Sequence, residues 1–361
     1  MISQGKIGPR GVVIITALSI SMSSFYASSI AADYGGYAAW LVILLAGLIA
    51  LALSMLPGRL MRRFPDSTII EVCYQVLGKY LGFLVGLVFV GHFLLEASFG
   101  IRLGSDRILT SYMPNTPLSV LMLGMLLVGL AGAYLGLEAV ARAIVIAYGL
   151  ILFTVIFPIL AAVNFMDLYN LFPLLGSGLP AVALGGVSMV GMFSDVLLIS
   201  VIYPSISKDD RVNVWASSIW WGLAILLFTT IGIQLIFPPT ILTENLFPLV
   251  QASRLVYLGR FFQRIDAFLA FFWMGAIAFR FSLVYLLAAN TLTQLLRLPY
   301  YHPFLLSLGV IAFSIGMIPH DIIETTYIVT GIFWRTGWLI AFVLPGILLL
   351  VSYFRRGVNS R

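Results

Sequence analysis

The sequence predicts an all-α polytopic membrane protein with ten transmembrane helices, and three observations indicate this fold class. Of the 361 residues, 61% are hydrophobic and only 9% are charged, with a mean hydropathy of +1.06. A soluble domain carries roughly 25% charged residues, so this chain lacks the polar side chains to cover a water-facing surface. Apolar runs of the length that crosses a bilayer recur along the chain. Basic residues concentrate in alternate loops, as membrane topology requires.

The ten apolar runs are the predicted spans one to ten. They cover residues 11–31, 38–57, 80–104, 118–135, 143–163, 179–203, 212–237, 262–290, 303–318 and 327–353. With the N-terminus in the cytoplasm, 13 of the 20 lysines and arginines fall in cytoplasmic segments, while the loops around Pro114, Asn170 and His320 contain none. Three arginines before span eight are exceptions to this rule. We therefore expect residues 1–361 to form a single membrane domain with both termini in the cytoplasm.

The first cytoplasmic loop is predicted to contain a short helix along the membrane surface. Ser67 precedes acidic and apolar residues at helical spacing, which is typical of a capped helix start. We expect this helix to end near Gly78.

Spans one and six do not resemble ordinary lipid-facing helices. Span one contains Ser19, Ser21, Ser23 and Ser24, and span six contains two adjacent glycines followed by the segment 188–195, which ends in Asp195. Interrupted helices at matching positions of two halves indicate inverted repeats with a midplane binding site, here about 11–163 and 179–353. Unwound backbone at that depth is tolerated only where it is buried in protein or lines a cavity. The alternative is that the small residues only permit close helix packing.

Span three carries the charged side chains that most need an explanation. An ionisable residue inside a membrane span is a functional hypothesis by default. His92 and Glu96 are four residues apart, which places them on one face of a helix. We interpret His92 as a core histidine. We expect Arg102, Asp106 and Arg107 to lie near the outer end of the span, where an ion pair between residues four apart and snorkelling explain them.

Several functional classes find no support in the sequence. The three histidines are scattered, there is no metal-ligand spacing, and no glycine loop of the kind that binds phosphate precedes a basic residue. Aromatic residues near span ends are typical of membrane-interface anchors rather than of base-stacking surfaces. We expect no enzymatic activity, no metal, no cofactor and no nucleic-acid partner.

Four segments carry a resemblance to a known family. They are Gly91-His-Phe-Leu-Leu-Glu-Ala-Ser-Phe99 followed by Arg102; Asp167 and Asn170-Leu-Phe-Pro173-Leu-Leu-Gly-Ser-Gly178; Gln263-Arg264-Ile-Asp266 with Trp273 and Ala288-Ala-Asn290; and Pro345 with Arg355-Arg356. Taken in this order, they resemble the B-subunit permeases of bacterial spore germinant receptors, within the amino acid–polyamine–organocation transporters. The resemblance covers nearly the whole chain.

The resemblance implies a LeuT-like fold with two inverted five-helix repeats and a site formed by spans one, three, six and eight. It also implies a receptor for nutrient germinants, usually amino acids, in the spore inner membrane or cell membrane. Such a receptor works in a complex with an A subunit and a lipoprotein C subunit. A proton- or sodium-coupled transporter of an amino acid or amine is the alternative, and a scaffold that binds no small molecule is a third hypothesis.

The chain departs from the family in residues expected to line the site. The family usually has a glycine-containing break in span one, where this chain has Ser21, Met22 and Ser23. The lining of spans three and eight is usually neutral, whereas here Glu96 and Arg280 occupy it. The changed lining leaves the identity of the ligand open.

Glu96 and Arg280 are expected to face one another across the pocket. Each alone would cost about 2.5–3.5 kcal/mol at a helix centre, and pairing removes most of that cost. They are predicted either to hold the amine and carboxylate of a zwitterion or to form a permanent ion pair that fixes packing.

The broken helices supply the remaining predicted ligand contacts. Free N–H groups at half-helix ends suit a carboxylate, and the candidates for this contact are Ser21, Ser23, Gly191, Met192 and Ser194. Asp195 is predicted to receive an amine, to accept a proton, or to cap a half-helix.

Overall fold

The computed structural model describes residues 7–206, 213–256 and 265–354. Within these ranges the chain is built almost entirely of helices. The first nine are α1 (Pro9–Ser21), α2 (Ala27–Gly35), α3 (Ala39–Leu53), α4 (Met55–Arg63), α5 (Ile69–Leu77), α6 (Lys79–Ser111), α7 (Leu118–Leu135), α8 (Leu137–Ala161) and α9 (Leu179–Ser188). The other nine are α10 (Leu198–Ile202), α11 (Val214–Ile236), α12 (Pro239–Glu244), α13 (Pro248–Leu255), α14 (Ile265–Leu295), α15 (His302–Gly316), α16 (Ile322–Tyr327), α17 (Trp334–Trp338) and α18 (Leu344–Phe354).

The described residues contain eight helical segments long and apolar enough to cross a membrane. Two shorter apolar helices, Pro9–Phe25 and His302–Gly316, lie at the predicted spans one and nine. The fold is therefore that of a multi-pass helical membrane protein, as predicted, while the count of ten spans stays a prediction. The division into two repeats within one domain also stays a prediction.

The breaks in spans one and six are present as the serine and glycine patterns predicted. Span one runs as α1, a 3₁₀ turn at Met22–Phe25, and α2. Span six runs as α9, a 3₁₀ segment at Val190–Leu197, and the short α10. A 3₁₀ segment in mid-helix often marks a functional hinge. Both breaks are buried inside the helix bundle.

Span ten is irregular as well. Between α16 and α18 it contains two π-helical segments, Ile328–Phe333 and Leu339–Val343, on either side of α17. Such π-helical turns are rare and frequently occur at functional sites. Here α17 packs against the 3₁₀ segment of span six.

The short helix predicted between spans two and three is α5, and it ends before Gly78 as predicted. Its cap is Thr68 rather than Ser67: the Glu71 N–H donates to Thr68 Oγ1 (3.4 Å), and the Thr68 N–H donates to the Glu71 carboxylate (2.8 Å). The prediction missed the cap by one residue because Glu71 is three residues after Thr68, the spacing that a capping box requires. Gly78 then adopts φ +83°, a conformation that favours glycine.

The central helix of the bundle is α6, whose 33 residues correspond to about 50 Å of helix. Span three was predicted to end at residue 104, and the helix continues for seven more residues. It packs against α14, α15 and α7. Residues 105–108 of the extension are buried, and the last three residues are partly exposed. Because the helix continues past residue 104, Asp106 and Arg107 lie on α6 and are buried in the helix bundle.

Parts of two sequence segments lie outside the described residues. These are Gln263 and Arg264 of the segment before span eight and Arg355 and Arg356 after span ten.

Candidate functional site

Span one contributes its 3₁₀ turn to a central cavity. Met22, Ser23 and Tyr26 line this cavity. Ser21 does not line it, because its hydroxyl donates to the Leu18 carbonyl (2.8 Å) and the side chain stays against its own helix. Serine hydroxyls that bond to their own backbone compete with regular helical hydrogen bonding, which explains why a serine-rich run ends α1 here.

Span six contributes the opposite wall through Gly191, Met192, Ser194 and Asp195. At Gly191 the backbone lies so close to span ten that an added Cβ would be only 1.7 Å from the Trp334 carbonyl oxygen. Only glycine fits there, so this residue sets the packing of the break. The Met192 N–H is also engaged, since it donates to the Met189 carbonyl (3.1 Å).

The charged residues predicted in spans three, six and eight meet at one guanidinium. Arg280 Nη2 lies 2.6 Å from Glu96 Oε1 and 3.0 and 3.2 Å from the two carboxylate oxygens of Asp195. Arg280 Nε donates to Ser19 Oγ at 3.0 Å. Glu96 is 7% exposed and Asp195 is 8% exposed. We call Glu96, Asp195 and Arg280 the carboxylate cluster.

The carboxylate cluster carries more negative than positive charge. Two carboxylates surround one guanidinium, which leaves a formal charge of −1 when all three groups are ionised. Excess buried charge of this kind is costly unless a partner compensates it. The cluster can therefore accept one more positive charge, either a ligand ammonium or a proton.

The cavity beside this cluster has room for a small ligand. The centre of a water-sized sphere can move through about 80 Å³ of it, whereas one water needs roughly 10–15 Å³ by that measure. Span ten closes one side with Val329, Phe333 and Trp334. The Trp334 ring stacks on Tyr26, with ring centroids 5.4 Å apart.

Most of the predicted site residues lie on this cavity. Ser23, Glu96, Gly191, Met192, Asp195 and Arg280 line it, as does Ser194. Ser21 is the exception. Span ten was not predicted to contribute, and nothing in its sequence distinguished Phe333 or Trp334 from the other aromatic residues of the chain.

Arg107 also lines the cavity, although it was predicted to lie near the outer end of span three. It is 3% exposed and lines the same cavity as Glu96. The two side chains are eleven residues apart, and Gly100 and Leu103 between them also face the cavity. This spacing of four, seven and eleven residues marks one helix face, so the periodicity of α6 could have identified Arg107.

The expectation that Arg102, Asp106 and Arg107 snorkel to the outer boundary is wrong. Arg102 and Asp106 are 2% and 3% exposed. The predicted ion pair between them is present, with Arg102 Nε 2.8 Å from Asp106 Oδ2, and Arg102 Nη1 also donates to the Gly316 carbonyl (3.0 Å). Asp106 and Arg107 lie beyond the predicted end of the span, and all three residues are buried because neighbouring helices enclose this part of α6.

His92 is a buried residue, as interpreted from the sequence. It is 2% exposed and stacks on Phe333 with ring centroids 4.9 Å apart. Its Nε2 lies 3.8 Å from Glu96 Oε2. His92 therefore packs between Phe333 and the Glu96 carboxylate of the carboxylate cluster.

Comparisons with known proteins identify relatives along most of the chain. The family model described as "Spore germination protein" matches residues 9–325. Spore germination protein YndE of Bacillus subtilis (strain 168) is 25% identical over 270 residues, which cover 72% of each chain. Spore germination protein A2 of the same organism is 24% identical over 332 residues, covering 89% of this chain and 88% of the relative.

Solved structures of transporters share the fold. A structure of Mhp1, a nucleobase-cation-symport-1 family transporter, in a closed conformation with bromovinylhydantoin bound, superposes with a TM-score of 0.69 at 16% identity and covers 98% of this chain and 80% of that chain. MhsT in complex with L-phenylalanine gives a TM-score of 0.62 at 16% identity, covering 99% of this chain and 100% of that chain. These are LeuT-fold transporters, so the predicted LeuT-like fold with broken helices one and six is confirmed. At this identity the likeness concerns the fold alone.

Proposed function

The chain belongs to the spore germination protein family, and from that premise we propose that it is the membrane subunit of a nutrient germinant receptor. It binds a small germinant, an amino acid, in the cavity between its broken helices and performs no chemical conversion. The observation that carries this proposal is the carboxylate cluster, where Arg280 bonds to Glu96 and Asp195 on the wall of that cavity.

The chemistry of the cluster favours a ligand with an ammonium group. Arg280 already neutralises one carboxylate, and the second one is available to an ammonium that enters the cavity. Hydrogen bonds between ionised groups are roughly twice as strong as neutral ones, and the low dielectric of a buried site strengthens them further. The aromatic side chains of Tyr26, Phe333 and Trp334 supply apolar contact for the rest of the ligand.

In this proposal the receptor works by shifting a conformational equilibrium. A ligand changes such an equilibrium only by binding one state more tightly than the other, and no net transport is needed. Span ten is suited to report occupancy, since Trp334 contacts both the cavity and the break of span six. The change is passed to A and C subunits of the receptor in the spore inner membrane, with the termini of this chain in the cytoplasm.

A coupled amino acid or amine transporter is the second candidate function. The transporter fold supports it, and so does the surplus carboxylate, which is able to take up a proton in the absence of ligand. Purified protein in liposomes distinguishes the two functions. Accumulation of radiolabelled amino acid driven by a proton or sodium gradient favours the transporter, and binding without accumulation favours the receptor.

Isothermal titration of the full chain in lipid nanodiscs against the twenty standard amino acids tests the proposed binding. We expect at least one to bind, and the Glu96→Gln variant to bind it roughly tenfold more weakly, because a charged hydrogen bond is worth about 1.5–3 kcal/mol. Arg142→Gln, which removes a charge from an exposed ion pair with Glu138, serves as the matched control. Absence of binding by all twenty, or a Glu96→Gln variant with unchanged affinity, would contradict the proposal.

Subunit assembly is tested separately. Co-expression with the A and C subunits should allow all three to be purified together in mild detergent. Recovery of this chain without either subunit would contradict the signalling part of the proposal and leave the binding part standing.

A further inference from the structure

Arg107 is a buried cation for which the described residues provide no anion. It is 97% buried, since only 3% of it is exposed. The ion pairs found within the described ranges involve Arg102, Arg142, Arg254, Arg280 and His92 but not Arg107. Its Nε has no hydrogen-bond partner among those residues either.

Aromatic rings, rather than acceptors, surround this guanidinium. Its central carbon lies 4.0 Å from the ring centroid of Phe25, 4.9 Å from that of Phe247 and 5.3 Å from that of Trp273. Stacking on aromatic faces stabilises a guanidinium, but it leaves the N–H groups on the edge of the plane without acceptors. The rings therefore hold the plane of Arg107 in place while its donors stay available.

Two of the groups first considered for a ligand carboxylate are already engaged. The Met192 N–H donates to the Met189 carbonyl, and the Ser21 hydroxyl donates to the Leu18 carbonyl. Gly191 is committed to its contact with Trp334. Arg107 is thus the stronger donor on the cavity wall, with a planar fork that matches the geometry of a carboxylate.

The cavity also has opposite charges at its two ends. Glu96 belongs to the carboxylate cluster with its formal surplus of −1, and Arg107 contributes +1. Their Cα atoms are about 16 Å apart along the axis of α6. The charged groups are closer than this, because both side chains extend into the same cavity and the long Arg107 side chain leans towards the N-terminal end of the helix, where Glu96 lies. A ligand with a positive and a negative group can therefore present each group to a different end.

We propose that Arg107 recognises the ligand's carboxylate and that the cavity selects small molecules carrying this group. This inference rests on the proposed ligand site and adds the substrate class that the site accepts. The carboxylate supplies the acceptors that the guanidinium lacks, and the ammonium of the same molecule faces Glu96 and Asp195. The broken-helix ends then shape the cavity without binding the carboxylate.

The test compares amino acids with their carboxamides, which keep the amine and side chain but lose the negative charge of the α-carboxylate. The full chain in lipid nanodiscs is titrated with the twenty standard amino acids and the twenty corresponding carboxamides. We expect wild-type protein to bind an amino acid roughly tenfold or more tightly than its carboxamide, since a charged, bidentate contact is lost. This comparison needs no variant, so it holds even where substitution at Arg107 impairs folding.

Variants at Arg107 then test whether this residue causes the preference for the amino acid over its carboxamide. Arg107→Gln should weaken binding of the amino acid roughly tenfold while leaving its carboxamide nearly unchanged, so that the preference disappears. Arg107→Lys keeps the charge without the planar fork and should retain part of the preference. Arg142→Gln should behave as wild type.

The outcomes separate this inference from the proposed function. Equal affinity for acid and carboxamide in wild-type protein overturns the role of Arg107 and leaves the germinant site standing. An Arg107→Gln variant that keeps the wild-type preference does the same. Failure of all forty compounds to bind overturns both.

Discussion

The two ends of the central cavity contain the same kind of cation in opposite surroundings. At one end, Arg280 donates to both Glu96 and Asp195, and the carboxylates outnumber the guanidinium. At the other end, Arg107 is stacked among Phe25, Phe247 and Trp273, with no acidic partner in the described part of the chain. One end has unused acceptors, and the other has unused donors.

This difference shows that burial alone does not indicate what an arginine does. Arg102 and Arg107 lie five residues apart on α6 and are equally buried, at 2% and 3% exposure. Arg102 has an aspartate and a backbone carbonyl as partners, which accounts for it fully. Arg107 has neither. The number of acceptors around each guanidinium separates a structural ion pair from a binding residue.

The largest effect is expected at Arg280. The change Arg280→Met leaves Glu96 and Asp195 buried side by side without a cation, so we expect the free energy of unfolding to fall by about 3–5 kcal/mol. Unfolding in mixed detergent micelles, followed by circular dichroism, measures this change. The control Arg142→Met, at an exposed ion pair, should stay within about 0.5 kcal/mol of wild type. A loss below about 1 kcal/mol for Arg280→Met would show that the cluster does not need its guanidinium.

The second prediction sets Arg102 against Arg107. Arg102→Met leaves Asp106 buried and unpaired and should cost about 3–5 kcal/mol. Arg107→Met leaves no carboxylate behind and should cost less than about 1 kcal/mol, or stabilise the fold, since a buried charge is replaced by an apolar side chain. The same unfolding measurement checks both variants. Equal losses would mean that Arg107 has a structural partner after all.

The third prediction concerns the wall that brings Asp195 to the carboxylate cluster. Gly191→Ala places a methyl group 1.7 Å from the Trp334 carbonyl oxygen, and we expect it to cost about 1–3 kcal/mol or more. Gly149→Ala on α8 is the matched control, because an added Cβ there meets nothing within 4 Å. It should be neutral or stabilise the helix by up to about 1 kcal/mol. Similar melting temperatures for the two variants would contradict the close approach of spans six and ten.

A stability effect as small as that at Arg107 is expected at Glu96. Glu96→Gln removes the surplus carboxylate, and Asp195 still pairs with Arg280. We therefore expect the free energy of unfolding to change by less than about 1 kcal/mol, although ligand affinity falls. A loss as large as that of Arg280→Met would indicate a permanent structural ion pair.

Much of the fold was predictable because it depends on local patterns. The apolar runs placed the spans, and the serines near Ser21 and the glycines before Asp195 placed the two breaks. These patterns reflect backbone propensity and membrane solvation, which act within a few residues. The boundaries were less accurate: α6 extends seven residues past the predicted end of span three, because tertiary contacts rather than hydropathy bury residues 105–108.

The candidate site was predictable where charge marked it. Glu96, Asp195 and Arg280 are conspicuous in apolar spans, and the structure brings all three together. The aromatic wall from Phe333 and Trp334 was not predictable, since every predicted span contains aromatic residues. Arg107 was assigned to the boundary because an ion pair with Asp106 and snorkelling are common at helix ends. However, Arg107 and Glu96 share one face of α6, and this periodicity predicts that both side chains face the cavity.

A titration that probes both ends of the cavity at once tests the central claim most directly. The probes are whichever of the standard amino acids bind, their N-acetyl derivatives, which lose the ammonium, and their carboxamides, which lose the carboxylate. Wild-type protein should bind both derivatives roughly tenfold or more weakly than the parent amino acid. Glu96→Gln should lose the discrimination against the N-acetyl form alone, and Arg107→Gln that against the carboxamide alone. Identical responses of the two variants, or a wild-type protein indifferent to both derivatives, would contradict the two-ended site.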